Sequence, residues 1–202
     1  MFLAQFGTGP ILPGQHGFAR NQLWNVEKKS EEASSIVCTL SQNEKTKRVW
    51  PHNFNLVYTI SLFKGQLKTS LRVENPSSNM MSFEFNCLLH TYFQIDDVKT
   101  VKITGFSGLC YCDKLRNGQL SEETRQSVAI VSEMDRAYLD AISPITLSSA
   151  NGIITLEKTG FTDYVLWNPW IEKSKTMPDF EDEEVWIVFY SSFVLNKQLT
   201  PL

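Results

Sequence analysis

Between residues 56 and 73 apolar side chains recur at every second position. Leu56, Tyr58, Ile60 and Leu62 share one side of the repeat, and Leu67, Thr69, Leu71 and Val73 resume it after Lys64-Gly65-Gln66. A period of two is the repeat of an extended strand, whose successive side chains leave opposite faces, so the segment predicts a β-hairpin. The turn cluster Asn75-Pro76-Ser77-Ser78-Asn79 leads to a third run over residues 81–93, and further strand-like runs fall at 98–104, 127–131, 152–158 and 185–195. No stretch carries a long amphipathic helix. Only residues 121–126, where Ser121 offers an N-cap ahead of Glu122 and Glu123, suggest a helical turn. Short strands spaced roughly ten residues apart predict an all-β sandwich or barrel. With no internal repeat or low-complexity linker, residues 1–202 are expected to form one domain.

Composition narrows the function classes. A chain of 202 residues with 42% hydrophobic and 12% aromatic content buries a substantial core. Its 19 basic and 22 acidic residues leave a formal charge of −3 and are spread along the chain, so neither a nucleic-acid nor a membrane-surface footprint is expected. A phosphate on a small substrate needs only a few local cations. Cys38, Cys87, Cys110 and Cys112 lack the CxxC spacing and the nearby histidines of a zinc site, and they do not read as a disulfide framework. Together with the absence of a secretory signal pattern after Met1 and of any run long enough to span a bilayer, this sets a cytoplasmic expectation. A monomer is the default.

Three histidines can be weighed one by one. Alternation through the run from Met81 places Phe83, Phe85, Cys87, Leu89 and Phe93 on one side and Glu84, Asn86, Leu88, His90 and Tyr92 on the other. His90 therefore lies on the more polar face. There it either serves as a general acid near neutral pH or is simply hydrogen-bonded on a half-solvated strand. His16 and Arg20 lie in the Gly/Pro-rich segment 12–21 (LPGQHGFARN), a loop that either gathers a cation and several donors for sugar or phosphate oxygens or is only structural. His52, after Trp50-Pro51, reads as structural. Glu133 and Asp135 straddle Met134, and Asp163 precedes the aromatic run 164–170. Such carboxylates hydrogen-bond sugars or cap turns. Trp167 and Trp170 flank Asn168-Pro169, where they either stack on a sugar or close a core.

Taken in order, several segments resemble the glucose-6-phosphate 1-epimerase branch of the aldose 1-epimerase superfamily. They are Gln5-Phe6-Gly7, LPGQHGFARN at 12–21, Trp50-Pro51-His52-Asn53-Phe54, LLHTYF at 88–93, Asp113-Lys114, EMDRAY at 133–138, and VLWNPWIEK at 165–173 followed by Met177, Asp179 and Phe180. The resemblance implies a galactose mutarotase-like β-supersandwich that binds a hexose 6-phosphate and interconverts its α and β anomers without a cofactor or metal. His90 matches the family's acid. Asp135 matches a carboxylate that contacts sugar hydroxyls, and Gln15, His16 and Arg20 match the loop contributing to the sugar-phosphate site. Asp163 matches a position ahead of WNPW whose role is read as structural.

Two departures accompany the match. The family's base is a carboxylate on a late strand, whereas residues 185–202 here read VWIVFYSSFVLNKQLTPL, with Tyr190 near the aligned position and Glu183 and Glu184 several residues too early. The family pattern also has strands and a further substrate-binding arginine ahead of the point matched by Met1. The expected sandwich is accordingly incomplete at its N-terminus and altered at its C-terminus. The expected activity is mutarotation, and the alternative is a sugar-phosphate-binding homologue that lacks the base.

Overall fold

The computed structural model describes residues 2–3, 16–28, 34–76, 82–95, 97–177 and 186–193. It divides into two compact units, the described residues up to Cys87 and those from Leu88 onward.

The first unit holds β1 (Phe2–Leu3) and a four-stranded sheet ordered β2 (Asn25–Lys28), β3 (Ser35–Ser41), β4 (Asn55–Phe63) and β5 (Gln66–Glu74). The predicted hairpin forms in the register its alternation dictates, with Leu56 opposite Val73, Tyr58 opposite Leu71, Ile60 opposite Thr69 and Leu62 opposite Leu67. Lys64-Gly65 closes it, and Gly65 takes a φ of +71°, a conformation that costs glycine little because it has no Cβ. Behind the sheet Phe18, Trp50, Phe54 and Phe83 form an aromatic cluster with centroid separations from 4.9 to 5.9 Å. His52 packs at the edge of the same cluster, 4.9 Å from Trp50 and 5.5 Å from Phe83. A short helix, α1 (Glu44–Val49), is absent from the sequence reading. Its start is set by a capping box in which Asn43 Oδ1 accepts from the Thr46 amide and the Thr46 hydroxyl accepts from the Asn43 amide, both at 2.9 Å.

The second unit contains a sheet ordered β6 (Cys87–Gln94), β14 (Trp186–Phe193), β13 (Asp163–Asn168), β10 (Met134–Tyr138), β8 (Cys110–Asp113) and β9 (Gln119–Glu122). A second sheet is ordered β12 (Gly152–Leu156), β11 (Ile145–Ser149) and β7 (Lys102–Thr104). Met134 and Tyr138 of β10, Tyr164 and Leu166 of β13, Ile103 of β7, and Ile145 and Leu147 of β11 meet in one buried cluster, so this unit is a β-sandwich. Phe106 and Tyr138 stack at its centre, their rings 3.8 Å apart and nearly parallel. Full burial of side chains this large stabilises by about 1.5–3 kcal/mol each.

Three local expectations are corrected. Residues 121–126 are not helical: Ser121 and Glu122 belong to β9, where Ser121 pairs with Tyr111, because ladder bonds to a formed partner strand outweigh one isolated helical turn, which is costly to nucleate. The run at 127–131 makes a single bridge, Val128 to Ile103, in place of a strand. The run from Met81 becomes a strand only from Cys87. No helix among the described residues is long and apolar enough to cross a membrane.

Gly105 follows β7 at φ +105°, and a Cβ there would lie 2.6 Å from the Pro144 carbonyl oxygen and 3.1 Å from Ile145. Backbone cannot swing aside as a flexible side chain can. Gly105→Ala is expected to destabilise by about 1–3 kcal/mol through strain alone, with more from the clash. A denaturant midpoint unchanged from that of the parent would refute this.

Candidate functional site

Asp135 occupies the second position of β10. Alternation sends Met134, Arg136 and Tyr138 toward the sandwich core and Asp135 and Ala137 to the other face. On β13, Tyr164 and Leu166 face the core while Val165 and Trp167 face away, and Trp167 stands directly opposite Asp135. The same reasoning applies to β6. Phe93 packs against the core cluster, so Leu88, His90 and Tyr92 lie on the face away from it. His90 and Asp135 thus share one face of the sheet, with β14 and β13 between their strands. The ring of His90 is half-buried and lies 5.1 Å from that of Tyr92, two residues along the same face.

The surroundings of Asp135 are charged. Lys114, in the 3-10 turn Lys114–Arg116 after β8, brings Nζ to 3.4 Å from Asp135 Oδ1. Lys173, on α2 (Trp170–Ser174), forms an ion pair with Glu133 just before β10. Burial pushes the Asp135 carboxyl above the ordinary aspartate range, and the nearby Lys114 and Lys173 oppose that shift. The chain reaches α2 through a constrained turn. Asn168, fully buried, accepts from the Trp170 amide at 2.8 Å, and Trp170 itself takes φ +59°, a rare conformation for so bulky a residue. Trp170 packs against the core, and Trp167 is buried within β13.

Beneath this face lies a second polar network. Glu123 Oε1 and Oε2 accept from Arg125 Nε and Nη2 at 2.7 and 2.6 Å, and Oε2 also accepts from Tyr138 Oη at 3.0 Å and Arg136 Nη1 at 3.4 Å. Arg136 Nε lies 3.4 Å from Asp113 Oδ2, and its guanidinium sits 4.4 Å above the Tyr111 ring. Burial alone would raise the Glu123 carboxyl, but the donors from Arg125 and Tyr138 outweigh it and hold the group below its usual range. Asp163 is buried and its Oδ1 accepts from the Asp140 amide at 3.0 Å, where Asp140 turns through φ +50°.

His16 and Arg20 lie in the first unit. His16 and Gly17 both take φ +67°, and buried Phe18 and Ala19 anchor the 3-10 turn Ala19–Asn21 that carries an exposed Arg20. Gly17, Phe18 and Asn21 line a pocket of about 190 Å³ together with Lys45 and Val49. Gln15, Glu183 and Glu184 lie outside the described residues, and the Tyr190 backbone is registered opposite Val165. Nothing in the sequence pattern gives Lys114 or Lys173 a role. Both lie in segments that carry the family resemblance, but their meeting with the 133–135 segment depends on strand register.

The sequence pattern of the aldose 1-epimerase family matches residues 3–186, across both units. The chain therefore belongs to the aldose 1-epimerase family. A relative from Cenchrus ciliaris, provisionally named a glucose-6-phosphate 1-epimerase, is 31% identical over 192 residues, covering 90% of this chain and 58% of the relative. An Escherichia coli K12 protein with the same provisional name is 30% identical over 172 residues, covering 83% and 56%. The chain thus spans a little over half the length of these curated relatives. Among solved structures, one from Salmonella typhimurium, provisionally described as a mutarotase, superimposes with a TM-score of 0.82 at 22% identity, covering 97% of this chain and 66% of that one. A galactose mutarotase-like protein from Lactobacillus casei gives 0.71 at 21% identity, covering 94% and 67%. The fold is that of the galactose mutarotase-like β-proteins.

Proposed function

We propose that this chain interconverts the α and β anomers of a hexose 6-phosphate, with His90 as general acid and Asp135 as a contact to sugar hydroxyls. The observation that carries the reading is the placement of His90 and Asp135 on one sheet face, in a chain of the aldose 1-epimerase family. Three strand spacings, about 14 Å in total, separate β6 from β10, which leaves room for a pyranose ring between the two side chains. In the reaction His90 gives a proton to the ring oxygen while a base takes the proton of the C1 hydroxyl. The bond between C1 and the ring oxygen breaks, the carbonyl rotates about C1–C2, and closure with the roles reversed yields the other anomer. No cofactor enters this scheme.

Gln15, His16 and Arg20 are read as sugar-phosphate contacts because they match the family's loop at 12–21. Arg20→Ala is expected to weaken glucose 6-phosphate binding by about 10- to 100-fold, the range of a lost charge-assisted hydrogen bond, while leaving unphosphorylated glucose unaffected. Calorimetric titration with both sugars measures this, and equal losses for both would remove Arg20 from phosphate recognition. A second reading, a sugar-phosphate binder without catalysis, is favoured by one observation: residues 185–202 contain no Asp or Glu. Two-dimensional exchange NMR on glucose 6-phosphate separates the two. Faster anomer exchange than in buffer supports the enzyme, and binding with no acceleration supports the binder.

A further inference from the structure

We propose that Lys114 is a positioning residue for Asp135, turning and holding its carboxylate as an acceptor for sugar hydroxyls. The inference rests on the functional reading above and adds to it a residue outside the acid and the sugar-contacting groups. Three observations support it. Asp113 pairs with Arg136 in register, so the next residue of the descending strand, Lys114, arrives beside Asp135 on the outer face. The turn that carries Lys114 is anchored: Asp113 Oδ1 accepts from the Leu115 amide at 3.1 Å, Asp113 Oδ2 pairs with Arg136, and the Asp113 carbonyl accepts from the Gly118 amide at 2.9 Å. Asp135 Oδ1 is shielded from solvent, and Lys114 Nζ at 3.4 Å is its ion-pair partner.

Among the described residues, the charged groups acting on Asp135 are Lys114 from the turn after β8, Lys173 from α2 and Glu133 from the approach to β10. Lys173 is already paired with Glu133, while Asp113, Arg136 and Glu123 belong to the network on the other face. A carboxylate drawn toward its neutral form by burial would carry a proton and lose acceptor capacity. Lys114 opposes this, so it extends to lower pH the range in which Asp135 can accept sugar hydroxyls.

The test is a carbon-detected NMR titration of the Asp135 carboxyl in the full chain, assigned with Asp135→Asn, in the parent and in Lys114→Met, Lys114→Arg and Lys173→Met. Glucose 6-phosphate and glucose binding are measured on the same samples. The midpoint should move to higher pH in Lys114→Met, return toward the parent in Lys114→Arg, and move less in Lys173→Met. Glucose 6-phosphate binding should lose its acid side in step with the midpoint. An unmoved midpoint in Lys114→Met overturns the proposal even where sugar binding weakens, since that would mark a structural role. Lys114→Gln carries the same comparison should the methionine variant fail to fold. If the parent binds neither sugar, the functional reading falls together with the sugar-facing part of this proposal, while the titration still decides the coupling of Lys114 to Asp135.

Discussion

His90→Ala is expected to slow anomer exchange of glucose 6-phosphate by about a hundredfold or more, the contribution typical of a positioned general acid. The imidazole is half-buried on the sheet face it shares with Asp135, and it packs against Tyr92, so its orientation is restrained before substrate arrives. Alanine removes the proton donor and leaves the backbone of β6 intact. The loss should therefore appear in turnover, with glucose 6-phosphate affinity changed far less, because the ring-oxygen proton is needed mainly in the transition state. Exchange NMR gives the rate and calorimetry the affinity. Turnover equal to the parent's would take His90 out of the mechanism, and an equal fall in binding and turnover would recast it as a substrate contact. The second reading predicts a different result, with no exchange in the parent and none to lose in the variant.

Glu123→Ala is expected to cost about 3–5 kcal/mol of folding stability, the range for removing one partner of a buried ion pair. The Glu123 side chain is 2% exposed, and it serves Arg125, Arg136 and the Tyr138 hydroxyl together. Without it Tyr138 Oη loses an acceptor at the centre of the sandwich, and Arg136, itself 16% exposed, keeps Asp113 as its remaining carboxylate partner in the network. The pH dependence follows from the direction of the shift. Since folding lowers the Glu123 titration below the ordinary unfolded value near 4.3, its contribution is complete above about that pH and is lost as pH falls through the folded value. Asp135 acts in the opposite sense: its titration is raised by burial, so its contribution is complete below the unfolded value near 3.9 and is lost as pH rises through the folded one. Denaturant midpoints from pH 7 to pH 3 would show the parent losing more stability in acid than Glu123→Gln. Parallel curves would mean that Glu123 carries no such linkage.

Much of this was legible in residue order because it depends on local physics. A period of two around Lys64-Gly65 determined the β4–β5 hairpin, with Gln66 joining the strand where the sequence places it in the turn, since side-chain alternation and turn chemistry act over only a few positions. Alternation likewise puts His90 on the side of its strand opposite Phe93, and Phe93 packs against the core cluster. The motif order determined the family. What the tertiary structure decided depended on distant partners. Residues 121–126 carry a helix-start signal, but Ser121 and Glu122 joined β9 because Cys110–Asp113 offered a ladder, which a single helical turn cannot outweigh. The polar segment 44–49 became a helix through one capping box, although it has no apolar stripe to announce it. The meeting of Lys114 with Asp135, and of Lys173 with Glu133, was set by strand register. Those pairs are 21 and 40 residues apart in sequence, and ion pairing carries no sequence period from which such contacts could be read.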